Sequence, residues 1–196
     1  MTKDAAETGT RLRTRTAILD AAARVFAASP AASLGEIAAA AEVGRTTLHR
    51  YFPERHDLLR ALARHVITLS EAAVARARPD SGPPLAALRR VVEEQFALGP
   101  ILLFIYNEPT LVGDTDLWDE LIGGDDPVDT ILTRAGGPTA PALPAGWARR
   151  TFWALLYTGW EAAKEDGLPR HEVVDAIMTS LTRGVLAPEP TDPRPH

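Results

Sequence analysis

The sequence predicts an all-α protein with an N-terminal three-helix bundle, a larger helical domain after it, and about nine helices in total. Apolar residues recur at a spacing of three and four through most of the chain, which is the period of an α-helix. Glycine- and proline-rich segments such as 81–84 and 136–146 separate these stretches, as breakers do between helices. No alternating strand pattern and no internal repeat interrupts this arrangement.

Composition excludes several classes of protein. The 196 residues are 45% hydrophobic and 24% charged, as in an ordinary globular protein. The chain has no cysteine, which excludes disulfides and cysteine-based zinc sites and fits a cytoplasmic location. No apolar run reaches the ~18 residues of a membrane span, and the polar N-terminus lacks the apolar core of a secretory signal.

Charge is divided unevenly along the chain. Residues 1–65 hold ten Lys/Arg and seven Asp/Glu, a net charge of +3, whereas residues 66–196 hold eleven and nineteen, a net charge of −8. The two parts add up to the formal net charge of −5. Only the N-terminal third is therefore suited to attract phosphates, although chance clustering alone could give the same split.

The most informative stretch is 33–59, which predicts two short helices joined by a tight turn. Leu34, Ile37 and Ala41 lie on one helical face, and Ser33 with Glu36 forms a capping-box pattern at its start. Gly44 is expected to supply the φ value that the turn requires. A second helix over 45–51 offers Leu48 to a core and presents polar and basic residues elsewhere, the sequence form of a helix-turn-helix.

Helices are predicted on both sides of this motif. Residues 1–12 are expected to form a loose arm, and a helix is predicted over 14–28. Arg11, Arg13 and Arg15 are expected to contact backbone phosphates, with a solvated tail as the alternative. The apolar run 101–106 is compatible with a strand or a short buried helix, and we interpret it as a helix because its neighbours are helical. The other predicted helices span 55–78, 84–98, 116–135 (bent or interrupted), 147–166 and 170–185.

The motif resembles the DNA-binding signature of the TetR/AcrR family of transcriptional regulators. The matching residues are Val43, Thr47, Leu48, Tyr51, Phe52, Arg55, Leu58 and Leu59. Two positions depart from the pattern: His49 stands where the family most often has Tyr, and Glu54 stands where a capping Ser, Asn or Asp is common. The resemblance implies a DNA-binding domain at 1–54, a linking helix at 55–78, and a ligand-binding and dimerisation domain at 55–187. The proline-rich, polar composition of residues 188–196 predicts a disordered tail.

The second helix of the motif supplies the predicted DNA contacts. Arg45, Thr46 and Arg50 are expected to reach base edges in the major groove, with phosphate as the alternative for Arg50. His49 can donate to phosphate but offers less apolar contact than Tyr. Phosphate contacts are predicted for Thr47, Tyr51, Arg55 and Ser33. A cap or packing role for Thr47, a core role for Tyr51 and a solvated charge for Arg55 remain alternatives.

The last two predicted helices favour a homodimer. Small residues recur along one side of 147–166, and Val173 begins an apolar face on 170–185. Two apolar faces exceed the need of one core, so a four-helix interface about a two-fold axis is expected, with a well-buried monomer as the alternative. The predicted interface residues are Thr151, Ala154, Thr158, Ala162, Val173, Ile177 and Leu181. Two-fold symmetry predicts a palindromic DNA operator.

Aromatic residues in the second domain suit a small, largely apolar effector, as the resemblance implies. The candidates are Phe96, Phe104, Tyr106, Trp118, Trp153 and Tyr157, each of which could equally belong to the core. Five aspartates lack the order of a calcium loop and are interpreted as caps and turns rather than as a metal site, namely Asp114, Asp116, Asp125, Asp126 and Asp129. No cofactor is predicted.

The sequence therefore predicts a ligand-responsive, dimeric DNA-binding regulator, specifically a repressor. The alternative is a helical small-molecule-binding or adaptor protein whose helix-turn-helix is only structural. An enzyme is not expected, because the sequence contains no nucleophile elbow, P-loop, dinucleotide fingerprint or HExxH helix.

Overall fold

The computed structural model describes residues 2–122, 126–137 and 143–186, and this part of the chain is helical with no strand. None of its helices is long and apolar enough to cross a lipid bilayer. The helices are α1 (Thr2–Ala28), α2 (Leu34–Ala40), α3 (Arg45–Tyr51), α4 (Arg55–Arg76), α5 (Pro84–Phe96), α6 (Gly99–Asn107), α7 (Pro109–Val112), α8 (Thr115–Ile122), α9 (Pro127–Gly136), α10 (Trp147–Glu165) and α11 (Arg170–Ser180), which continues into a π-helical turn at Leu181–Val185.

The described part holds eleven helices rather than about nine. The predicted helix 116–135 is two helices, α8 and α9, and α7 is an additional short helix that starts at Pro109, where proline suits a first turn. The predicted tail at 188–196 lies outside the described residues.

The predicted loose arm at residues 1–12 is wrong, because α1 begins at Thr2. Gly9 is the one strong helix breaker before Thr14, and a single internal glycine costs only about 1 kcal/mol relative to alanine. Arg13 donates to the Thr10 hydroxyl at 3.0 Å, and the Thr14 hydroxyl donates to the Thr10 carbonyl at 3.0 Å. The basic residues near the N-terminus therefore stand on a helix.

The helical interpretation of the apolar run 101–106 is confirmed. Five consecutive residues of α6, from Ile101 to Ile105, are buried. A helix that is apolar all round must be covered on every side, which explains why the run shows no polar face.

The chain divides into two compact units. The first combines residues 1–69 with residues 100–123, and the second combines residues 70–99 with residues 124–196. The chain thus leaves the first unit within α4, returns to it at the start of α6, and leaves it again after α8. The predicted functional division at residue 54 stays a prediction.

In the first unit, α6 and α8 pack against helices that belong to the N-terminal bundle. The rings of Phe26 and Phe104 stack with centroids 4.5 Å apart. Arg64 of α4 donates two hydrogen bonds to the carboxylate of Glu120, at 2.7 and 2.6 Å. These bonds lower the pKa of Glu120 and raise that of Arg64, so the stabilisation is present above the ordinary carboxylate pKa and is lost as the pH falls through the lowered value.

In the second unit, α5, α9, α10 and α11 pack together around apolar side chains. Gln95 is fully buried, and its amide exchanges two hydrogen bonds with Ser70, which ties α5 to the C-terminal part of α4. Such a buried amide is tolerated because both of its polar atoms are paired. Leu85, which the spacing places on the inward face of α5, is instead 47% exposed in the first turn of that helix.

The hairpin of α10 and α11 is closely packed at Gly159. A Cβ atom at this position would lie 2.6 Å from Cγ1 of Val173 and 3.0 Å from Cδ1 of Ile177. Contacts under 3 Å force a neighbour to move, and the β-branched Val173 has little freedom to do so. Gly159 therefore sets the distance between the two helices within one chain.

We expect Gly159→Ala to lower the free energy of unfolding by about 1–3 kcal/mol, although alanine is the better helix former. Urea unfolding followed by circular dichroism measures the change. Gly184→Ala is the matched control, because nothing lies within 4 Å of the added methyl group. Equal stability of the two variants would contradict the packing role of Gly159.

Candidate nucleic-acid interface

The first helix of the motif, α2, begins with the predicted capping box. The Glu36 amide donates to the Ser33 hydroxyl at 3.3 Å, and the Ser33 amide donates to the Glu36 carboxylate at 2.8 Å. The Ser33 hydroxyl also donates to that carboxylate at 2.7 Å. These bonds lower the pKa of Glu36, so the cap is complete at neutral pH and weakens as the pH falls through the lowered value.

The turn between α2 and α3 differs from the prediction. Glu42, not Gly44, adopts the left-handed conformation, with φ of 56° against −69° for Gly44. The amides of Glu42 and Val43 donate to the carbonyls of Ala39 and Ala38, the pattern of a Schellman motif. Gly44 instead serves as the extended N-cap residue of α3. A non-glycine residue in this conformation costs about 1–2 kcal/mol, which the motif's hydrogen bonds offset.

The seven-residue helix α3 is fixed by its apolar side. Leu48 and the following Phe52 are each 2% exposed, whereas the outer face is open to solvent. The amide of Phe52 donates to the carbonyl of Leu48 and closes the last turn. The exposed residues are Arg45, Thr46, His49 and Arg50. They fall at i, i+1, i+4 and i+5, which places two hydrogen-bonding side chains at each end of one face.

Gly35 of α2 leaves room for the guanidinium group of Arg45 to pack against the helix. A Cβ atom at Gly35 would lie 3.0 Å from Nη2 of Arg45 and 3.2 Å from its central carbon. The guanidinium group thus lies against the α2 backbone at the one helical position without a side chain in its way. Sequence reasoning missed this contact, because nothing local indicates which residue packs on Gly35.

The residues predicted to contact phosphates differ in their burial and in the hydrogen bonds that their side chains already make. The Ser33 hydroxyl is bonded to Glu36, and Thr47 and Tyr51 are half-buried at the edges of α3. Arg55 is committed in part to the fold: its Nη1 donates to the Ala32 carbonyl at 2.9 Å. Its guanidinium group also lies 4.8 Å from the centre of the Phe26 ring.

Two further arginines stand beside the end of α3. The guanidinium of Arg11 lies 6.0 Å from the centre of the Tyr51 ring, and that of Arg15 lies 5.5 Å from the centre of the Phe52 ring. Arg50 approaches the Tyr51 ring to 5.7 Å. Sequence reasoning did not distinguish these two arginines from Arg13, although a spacing of four in a helix would have indicated a shared face.

The predicted dimer residues fall into two groups. Val173, Ile177 and Leu181 are at most 4% exposed within the single chain, and the first two contact α10 at Gly159. The four predicted residues on α10 are less buried. Ala154 and Thr158 are exposed, and Thr151 and Ala162 are half-buried.

The six aromatic residues predicted for the effector site are divided between the units. In the first unit, Tyr106 and Trp118 stack with centroids 5.5 Å apart, and the Trp118 indole donates to the Leu111 carbonyl at 2.7 Å. Phe104 stacks on Phe26 instead, as a core residue does. A polar surface cavity of about 340 Å³ lies nearby on residues of α4 and of 110–116, and none of the six lines it.

In the second unit, Phe96 is buried close to Gly159, whereas Trp153 and Tyr157 are half-buried. The Trp153 indole donates to the Asp126 carboxylate at 3.0 Å and meets the Phe152 ring edge-on. Trp153 and Tyr157 are four residues apart on α10 and so share a face. A second surface cavity, of about 470 Å³ around Pro79, involves none of the predicted aromatic residues.

Capping roles are confirmed for two of the five aspartates. Asp114 accepts a hydrogen bond from the Leu117 amide at 3.1 Å, and Asp126 accepts one from the Val128 amide at 2.9 Å. Within the described ranges no group of three or more His, Asp or Glu residues is arranged to hold a metal ion. Asp125 lies outside those ranges.

Comparison with known proteins identifies this architecture. A family model described as "Bacterial regulatory proteins, tetR family" matches residues 18–62, which include α2, α3 and parts of α1 and α4. The HTH-type transcriptional repressor LfrR of Mycolicibacterium smegmatis is 60% identical over 186 residues, which cover 95% of this chain and 97% of LfrR.

Two crystal structures of LfrR, described as a TetR-like transcriptional regulator from Mycobacterium smegmatis, are also similar. The complex with proflavine matches with a TM-score of 0.77 and 61% identity, over 88% of this chain and 97% of that one. The other structure matches with a TM-score of 0.63 and 57% identity, over 86% and 97% of the two chains. The similarity thus extends beyond the motif into both units.

Proposed function

This chain belongs to the TetR family of bacterial regulatory proteins, and from that membership we propose that it is a dimeric, ligand-responsive repressor of transcription. The observation that carries the proposal is the 60% identity to a repressor over 95% of the chain. The exposed face of α3, with Arg45, Thr46, His49 and Arg50, is the surface that acts on DNA. Such a protein works where the chromosome lies, in the cytoplasm.

On DNA, α3 enters the major groove as a recognition helix. Arg45 leads because it stands at the N-terminal end of α3, and recognition helices contact bases with their N-terminal residues. Its planar guanidinium pairs with O6 and N7 of guanine. Arg50 and His49 follow one turn later, and Thr47 and Tyr51 at the helix edges contact phosphates. Arg55 donates one hydrogen bond to the Ala32 carbonyl next to the motif, and its remaining donors face the backbone of the duplex.

The dimer uses the outer side of the α10–α11 hairpin. Ala154 and Thr158 on α10 are exposed and small, as are Ala176 and Ser180 on α11. The hydroxyl groups of Thr158 and Ser180 donate to carbonyls in their own helices, both at 2.9 Å. With their donors satisfied, these residues present a smooth surface that a second hairpin can approach closely. Two copies of α3 then read a palindromic operator.

The effector we propose is a planar aromatic cation of the proflavine type. LfrR has been crystallised with proflavine. In this chain, residues 66–196 carry a net charge of −8, and aromatic ring faces attract cations. Trp153 and Tyr157 offer half-buried rings, and Asp126 places a carboxylate beside the first of them. The sequence predicted a small, largely apolar effector, whereas the effector proposed here is flat and aromatic but positively charged.

Release of DNA requires the effector to bind one conformation of the dimer better than another. An effector that prefers a dimer whose two recognition helices are wrongly spaced shifts the population toward that form. The loss of operator affinity can then be no larger than the ratio of effector affinities for the two forms. Equal affinity for both forms would leave DNA binding unchanged, however tight the binding.

We expect Arg45→Ala to weaken operator binding by about ten- to a hundredfold and to relax specificity at one base pair of each half-site. Gel-shift titration on duplexes with single base-pair changes measures both effects. Arg76→Ala is the matched control, since it removes the same charge from an exposed position outside the motif. An operator affinity of Arg45→Ala equal to that of the wild type would contradict base reading by the exposed face of α3.

Proflavine should bind the free protein and release the operator. Tyr157→Leu should weaken proflavine binding about tenfold, since it removes one ring face, whereas Trp147→Leu, which changes an exposed ring on the same helix, should not. Fluorescence titration without DNA gives the affinities.

Because proflavine also binds DNA, an unrelated protein bound to the same duplex is needed as the release control. Proflavine that binds the protein without selectively releasing it from the operator would contradict the effector role.

A further inference from the structure

An exposed group of three arginines surrounds the C-terminal end of α3, and base reading by α3 does not explain the two of them that stand on α1. Arg11 and Arg50 approach the Tyr51 ring from two helices, and Arg15 approaches Phe52. All three side chains are exposed to solvent. We call Arg11, Arg15 and Arg50 the arginine cluster.

The cluster has no internal counter-charge. The ion pairs in the described residues join other side chains, and none of the three guanidinium groups lies within 4 Å of a carboxylate. Aromatic rings hold the groups in place, but at exposed sites each such contact contributes only about 0.5–1 kcal/mol. Like charges gathered in this way repel one another and are stabilised when an anion neutralises them.

We propose that Arg11 and Arg15 form a phosphate clamp that grips the DNA backbone beside the groove occupied by α3. The inference rests on the proposed DNA-binding function and adds a contact from α1 to it. The two arginines are four residues apart, so they stand about 6 Å apart along α1 and share one face. That face is the one turned toward Tyr51 and Phe52, at the end of the recognition helix.

Helical structure gives the clamp its advantage. A loose basic arm loses conformational freedom when it binds, whereas side chains on a formed helix lose less. Arg50 shares the Tyr51 ring with Arg11 and also belongs to the exposed face of α3, so a single duplex can contact the clamp and that face together. The partner is double-stranded DNA, and the chemical group recognised is the phosphodiester.

Arg13 provides a control within the same helix. It lies two residues from each clamp arginine, about 200° around the helix, and its guanidinium donates to the Thr10 hydroxyl. Arg13 has the same charge as Arg11 and Arg15 and is exposed like them, but it lies on a different side of α1. A clamp that depends on position must therefore tolerate the loss of Arg13.

The test is the salt dependence of DNA affinity for Arg11→Gln, Arg15→Gln and Arg13→Gln. Each phosphate contact contributes about 0.9 to the slope of log affinity against log salt, so loss of one contact in each protomer of a dimer makes the slope shallower by about 1.8. Fluorescence anisotropy with potassium chloride from 50 to 300 mM, on the operator and on a scrambled duplex, supplies the slopes.

We expect the shallower slope for Arg11→Gln and Arg15→Gln, and the wild-type slope for Arg13→Gln. The ratio of operator to scrambled affinity should stay at the wild-type value in all three, since phosphate contacts carry no sequence information. Wild-type slopes for the two clamp variants, or an equal change for Arg13→Gln, would overturn the proposal. A wild-type protein without operator preference would instead contradict the proposed function, and the slopes on the scrambled duplex would still decide the clamp.

Discussion

The orientation of α3 depends on two buried side chains, Leu48 and Phe52. A helix of seven residues is too short to be stable by itself, because nucleation costs more than so few hydrogen bonds return. Packing of its apolar side must therefore supply the stability, and it also fixes the direction in which the outer face points. The capping box at Ser33 and the Schellman motif at Glu42 hold α2 in register. The bond from Arg55 to Ala32 ties α4 to the same core.

The N-terminal helices that hold α3 also contact a later part of the chain. Phe104 stacks on Phe26, and Glu120 pairs with Arg64, so the segment 100–123 packs with the N-terminal bundle. The same segment is joined at both ends to chain that belongs to the second unit. Covalent connections between the units therefore occur at three places, within α4, at the start of α6 and after α8.

Much of the helix-turn-helix could be predicted, because the sequence features that determine it lie within a few residues of one another. The Ser33–Glu36 cap depends on residues three apart, and the buried Leu48 and Phe52 follow from helical spacing. The helical path of residues 2–12 was missed, since a lone glycine does not decide a helix end. The left-handed residue was assigned to Gly44 because glycine usually takes it, but the hydrogen bonds of the Schellman motif place it at Glu42.

Contacts between residues that are far apart in the chain could not be predicted from the sequence. Arg45 on Gly35, Arg11 on Tyr51 and Phe104 on Phe26 join residues whose proximity exists only after folding. The six aromatic residues looked equivalent in the sequence, yet they are divided between two units and between core and half-buried positions. Helical periodicity indicates which side of a helix is covered, but it does not indicate what covers it, and both the pocket and the dimer surface depend on that information.

Selection of binding sites from a pool of random duplexes by the purified full chain shows whether a dimer reads DNA through α3. We expect enrichment of an inverted repeat, with half-sites about one helical turn apart or slightly more, because two copies of α3 are related by a two-fold axis. We also expect a guanine in each half-site that becomes less strongly selected with Arg45→Ala. Recovery of unrelated sequences, or of one asymmetric half-site, would contradict a dimeric regulator that reads DNA through α3.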